Sequence, residues 1–112
     1  MGKWDSALQA AQGAKGDETR TLHDALVAAV ACSLRSAQIE FRGGGNGNRS
    51  FAKTISDLLF LCTGDSEKEL LLNGIIADLS MDLSDVGSLD FLDGEMPTTL
   101  FDQVRALLGA KT

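Results

Sequence analysis

The sequence contains no tyrosine, one proline and one histidine, and aromatic residues make up only 5% of its 112 residues. We therefore expect an apolar core built from aliphatic side chains. The two cysteines, Cys32 and Cys62, belong to no C-x-x-C pair, and His23 is the only histidine. A structural zinc site needs about four such ligands at close spacing, so this pattern argues against zinc and predicts no cofactor. Both cysteines fall in apolar stretches, where reduced, buried thiols are typical of a cytoplasmic protein; a disulfide between them is the open alternative.

Long apolar runs are also missing. The longest nearly apolar run covers residues 26–34, whereas about 20 apolar residues are needed to cross a bilayer. The first residues show no apolar segment typical of a secretory signal. We therefore predict a cytoplasmic protein with no membrane span. The first six residues do fit the short pattern M-G-x-x-x-S for N-myristoylation, in which Gly2 would carry the lipid, but no polybasic second anchor follows.

Basic charge is scarce in the second half of the chain. Residues 65–102 hold ten acidic side chains and one base, Lys68, within a chain whose formal net charge is −6. That balance argues against nucleic acid, because phosphate contacts need a basic face. The distribution predicts either a solvated surface or an acidic surface for a basic protein partner. The acidic candidates for partner binding are Asp82, Asp85, Asp90, Asp93 and Glu95.

Apolar residues recur at helical spacing along most of the chain. This predicts an all-α fold, a compact bundle of four to five short helices in a single domain over residues 1–112. A short helix over 4–12, within the possible loosely attached segment 1–16, is expected first. The next is expected over 22–36, after a cap resembling a capping box at Thr21–Asp24. The remaining expected helices begin near Ser50, near Asp65 or Ser66, and near Thr98 or Thr99, with stops at Gly64 and Gly109.

The expected helix over 22–36 is small and apolar on nearly all sides, with alanine on both faces. Such a helix is typically packed on several sides at the centre of a bundle, or lies in a subunit interface. We expect it at the centre. The alternative is a homo-oligomeric structural protein in which this helix forms the interface.

The segment Gly43–Asn48 must be a loop, because four glycines and two asparagines do not sustain a helix. We expect helices on both sides of it. The alternative is an α+β fold with a small hairpin around Gly43–Gly47, since residues 38–42 alternate between polar and apolar. Arg42 and Arg49 flank the loop and are basic candidates for partner binding. The segment lacks the last glycine and the lysine of a phosphate-binding loop, so it does not predict nucleotide binding.

Two further local expectations concern the second half of the chain. Gly74 lies within an expected helix at a cost of about 1 kcal/mol, which suggests close packing at that point. Residues 80–97 are the least regular part, and we expect an extended stretch or one short helical turn there.

Catalytic companions are missing around the residues that could carry chemistry. His23 has no paired nucleophile or metal motif. The end of the chain, Met96–Asp102 with Val104–Leu107, resembles the last helix region of polyketide-type acyl carrier proteins. Gly87-Ser88-Leu89 resembles the sequence around their phosphopantetheine serine, which would make Ser88 the carrier residue. Gly87 replaces the aspartate that precedes that serine, and Pro97 comes too soon for the long helix that follows it.

The leading hypothesis is therefore a non-enzymatic protein–protein interaction module, such as a small adaptor, chaperone, inhibitor or assembly subunit, that uses its acidic C-terminal half. The alternatives are the homo-oligomeric structural protein and a small carrier or enzyme that uses Ser88 or His23.

Overall fold

A computed structural model describes residues 21–44, 48–84, 92 and 98–109. These residues form four α-helices and no strand, which confirms the prediction of an all-α bundle of short helices. The helices are α1 (Leu22–Arg42), α2 (Asn48–Cys62), α3 (Ser66–Ser84) and α4 (Thr98–Leu107). The short helix predicted over 4–12, and with it the segment 1–16, lies outside the described residues.

Helix α1 begins at the predicted cap. The Thr21 side chain accepts a hydrogen bond from the backbone N–H of Asp24 at 3.2 Å, which satisfies one of the N–H groups left unpaired at a helix start. The helix then continues six residues past the predicted end and stops at Gly43. The hairpin alternative around Gly43–Gly47 is wrong, because residues 38–42 complete α1 and α2 begins at Asn48.

The middle of α1 is the centre of the core, as predicted. Every residue of the segment 25–33 is buried, and α2, α3 and α4 each pack against α1. Alanine supplies four of these nine residues, and its small side chain lets neighbouring helices approach closely on several sides. The three outer helices cover α1 with fully buried aliphatic side chains: Leu58, Leu72, Leu79, Leu100 and Val104.

A tight turn joins α2 to α3. Gly64 has a φ of 93°, a left-handed conformation that glycine adopts without strain, and it ends α2 as predicted. Asp65 then caps α3, accepting a hydrogen bond from the backbone N–H of Lys68 at 3.2 Å. Cys32 and Cys62 are both buried in the core and form no disulfide.

Helix α3 is longer than the sequence indicated. Residues 80–84 continue the helix, so the expectation of an extended stretch or a single turn is wrong for this part of 80–97. The expectation at Gly74 is also wrong. Gly74 is exposed, and a methyl group added to it would meet nothing within 4 Å.

Arg35 ties residue 92 to the core. Its Nε–H donates to the backbone carbonyl of Leu92 at 3.0 Å, and an Nη1–H donates to Gln38 Oε1 at 3.3 Å. Leu92 is buried in the same cluster as the α1 residues. Leu92, which lies between α3 and α4 in sequence, is therefore held at the centre of the bundle.

Candidate partner-binding surfaces

The outer side of α3 carries a continuous strip of exposed residues. Its members recur every three or four positions, as residues on one helix face do. We call this the α3 strip: Glu67, Leu70, Asn73, Gly74, Ala77 and Asp78. Leu70 is 73% exposed, and the strip holds two acidic residues and no basic one. An apolar side chain that protrudes between acidic neighbours suits a partner that is both apolar and basic.

Leu70 is a residue that the sequence reasoning missed. The helical spacing of its apolar residues predicts a core-facing stripe along this helix: Leu71, Leu72, Ile75, Ile76 and Leu79. The structure buries or half-buries all of these. Leu70 falls outside that stripe, and this position could have identified it from the sequence as a candidate binding residue. A leucine off the buried face of an amphipathic helix must meet solvent or a partner.

Lys68, the one base of residues 65–102 by sequence, is held at the end of α3 that lies beside α4. Its Nζ lies 3.3 Å from Asp65 Oδ2 and donates to the backbone carbonyl of Leu108 at 3.4 Å. The hydrogen bond from the Lys68 backbone N–H, assisted by the Lys68 ammonium, holds the pKa of Asp65 below its usual range. Lys68 is therefore engaged by Asp65 and by the end of α4, outside the α3 strip.

The predicted acidic candidates lie further along the chain. The structure places Asp82 in the last turn of α3, four positions after Asp78. Asp85, Asp90, Asp93 and Glu95 lie outside the described residues. Their role in binding a partner stays a prediction.

The two basic candidates lie at helix ends beside the glycine segment. Arg42 is the last residue of α1 and is exposed, and Arg49 is the second residue of α2. The structure thus puts both next to the segment they were predicted to flank. Their role in binding stays a prediction as well.

A second surface, between α2 and α4, was not anticipated at all. Both helices pack on α1, and they leave between them a groove of about 220 Å³. We call this the α2–α4 groove; it is lined by Asp57, Phe60 and Leu61 from α2 and by Phe101 and Arg105 from α4. Phe60 is 66% exposed. The groove brings together an aromatic side chain that protrudes, an apolar depression and one charge of each sign.

The residues considered for catalysis are not assembled into a reactive site among the described residues. His23 is exposed in the first turn of α1, and its Nδ1 lies 3.2 Å from the Asp24 carboxylate. Ser88 lies outside the described residues. Within the described part of the chain, no group of three or more His, Cys, Asp or Glu side chains is placed to hold a metal ion. Nor does that part contain a helix with the length and apolar character needed to cross a membrane.

Comparison with known proteins adds no relative: no family model, no curated protein and no solved structure matches this chain.

Proposed function

We propose that this protein is a non-enzymatic protein–protein interaction module that binds a basic partner through the acidic side of its C-terminal half. The observation that carries the proposal is Leu70, 73% exposed on the α3 strip between Glu67 and Asp78. An adaptor, a chaperone, an inhibitor and an assembly subunit all work through such a surface. The cytoplasm is the compartment we propose for it.

The apolar and the acidic residues of the α3 strip would contribute to binding in different ways. An apolar side chain of the partner that covers Leu70 removes apolar surface from water, which supplies affinity. The carboxylates of Glu67 and Asp78 attract a basic partner over a distance and raise the rate of association more than the affinity. The acidic residues that follow α3 in sequence add to the negative charge of this half of the chain.

The test compares two double variants. In each, one acidic residue is replaced by its amide and one exposed leucine is replaced by serine. Glu67→Gln with Leu70→Ser alters the α3 strip. Asp102→Asn with Leu107→Ser makes the same chemical change on exposed residues of α4. Each immobilised protein captures partners from an extract of its source cells at about 50 mM and about 300 mM salt, because screening separates charge-assisted binding from apolar binding. Retained proteins are identified and quantified by mass spectrometry, and circular dichroism checks that each variant is folded.

We expect the original protein and the α4 variant to retain the same basic proteins, more strongly at the lower salt. The α3-strip variant should retain about tenfold less of them, the effect of losing a single well-packed contact residue. Equal retention by both variants, or retention of acidic proteins only, would contradict the proposal.

A further inference from the structure

The α2–α4 groove contains both a protruding aromatic side chain and an apolar depression that could receive one. Phe60 projects from its α2 side and is 66% exposed, while Leu61 and Phe101 form an apolar depression beside it. The volume of about 220 Å³ is several times the roughly 30 Å³ of a water molecule, so the groove has room for part of an aromatic ring. A monomer gains nothing from keeping a phenylalanine in solvent beside such a depression.

The charges of the groove are arranged in the same complementary way. Asp57 stands on the α2 side and Arg105 on the α4 side. A partner with charge of one sign would be attracted by one side and repelled by the other. The matching surface must carry an acid and a base with an aromatic side chain near them, which is the composition of the groove itself.

We propose that the α2–α4 groove is the interface through which two copies of this chain associate about a two-fold axis. In such a contact each residue pair occurs twice, because the same patch is used by both copies. Phe60 of each copy enters the depression of the other, against Phe101. Asp57 of each copy pairs with Arg105 of the other, so that both charges are satisfied across the interface.

The present partners of these charges are easily exchanged. Asp57 Oδ2 lies 3.3 Å from Lys53 Nζ on the exposed surface of α2. Arg105 Nη1 lies 4.0 Å from Asp102 Oδ1 on the exposed surface of α4. Exposed pairs of this kind contribute little to stability. Re-pairing across the interface therefore removes little from the monomer and places each charge beside a partially buried opposite charge.

The size of the groove sets the expected strength. Five lining residues per copy are fewer than the 20–30 residues a side of a stable interface of about 1,600 Å². We therefore expect a weak, reversible dimer with a dissociation constant on the order of 100 µM. This surface lies on α2 and α4, so the proposed dimer and the proposed binding at the α3 strip can be tested independently.

The test exchanges the charges. Asp57→Arg leaves two bases in each groove and Arg105→Asp leaves two acids, so each variant alone sets like charges against each other twice. Sedimentation equilibrium between about 10 µM and about 1 mM spans the expected affinity. We expect the original protein to dimerise and each single variant to do so at least about tenfold more weakly. An equimolar mixture of the two variants restores both opposite-charge pairs and should recover the dimer.

The apolar contact is tested with matched aromatic residues. Phe60→Ser should weaken the dimer at least about tenfold, as expected for an aromatic residue at the centre of an interface. Phe41→Ser removes an equally exposed phenylalanine, 70% exposed on α1, and should leave the dimer unchanged. A monomer up to about 1 mM, a mixture of charge variants that stays monomeric, or equal effects of the two phenylalanine changes would overturn the proposal.

Discussion

Small residues play opposite roles in the central helix and in the outer strip of α3. In α1 the alanines of segment 25–33 are fully buried among three other helices. In α3 the small residues Gly74 and Ala77 face solvent. The difference comes from the neighbours, because α3 packs on α1 and α2 from one side only. A small residue thus allows close packing only where another helix lies over it.

The comparison also separates stability from binding in this molecule. Segment 25–33 of α1 is buried within this chain, while the homo-oligomer hypothesis, which makes the helix over 22–36 the interface, stays a prediction. Among the described residues, large exposed apolar side chains lie on the outer helices, at residues such as Leu70 and Phe60, and at the end of α1, at Ile39 and Phe41. Changes in segment 25–33 should therefore alter stability, and changes at the exposed Leu70 and Phe60 should alter binding.

The largest predicted effect follows from enlarging a buried alanine. Ala28→Leu forces three additional carbon atoms into a position with no exposed surface, and overpacking of this kind destabilises by about 1–3 kcal/mol. Ala77→Leu makes the identical change on the exposed strip and should alter the free energy of unfolding by less than about 0.5 kcal/mol. Urea unfolding followed by circular dichroism measures both. If the two variants lose the same stability, α1 is not the tightly packed centre described above.

A smaller effect of opposite sign is expected at Gly74. Gly74→Ala should raise the free energy of unfolding by about 0.5–1 kcal/mol, because alanine lowers the conformational entropy of the unfolded chain and favours the helix. No steric penalty opposes this gain, since the added methyl group meets nothing within 4 Å. The measurement is again urea unfolding, with Gly64→Ala as the contrasting variant: its φ of 93° makes alanine strained there. A loss of stability on Gly74→Ala would show that something covers this part of α3.

Much of the fold could be predicted because its boundaries depend on local chemistry. Thr21, Gly64 and Gly109 act through their own side chains or backbone angles, and the structure has helix boundaries at all three. The end of α3 could not be predicted in this way, because Leu79, Met81 and Leu83 alternate with polar residues and fit a strand as well as a helix. The α2–α4 groove could not be predicted from the sequence for a different reason. It exists only because α2 and α4 both pack on α1 without closing against each other, which no local pattern in either helix records.

The smallest predicted effect distinguishes the starts of the two compared helices. The cap of α1 is Thr21, which carries no charge, whereas the cap of α3 is Asp65, whose pKa is lowered mainly by the hydrogen bond from the Lys68 backbone N–H. A lowered folded-state pKa means that the charged cap stabilises α3 at pH values above the usual pKa of 3.8. This contribution is lost as the pH falls through the folded-state pKa.

In an NMR titration, the Lys68 amide signal should therefore shift with a midpoint below 3.8. Asp65→Asn keeps an oxygen that can accept the same hydrogen bond but cannot titrate, so the shift of the Lys68 amide should disappear in that variant while its position at neutral pH changes little. A midpoint at or above the usual value would mean that Asp65 does not cap α3 as a carboxylate, and the start of α3 would then be no more sensitive to acid than the threonine-capped start of α1.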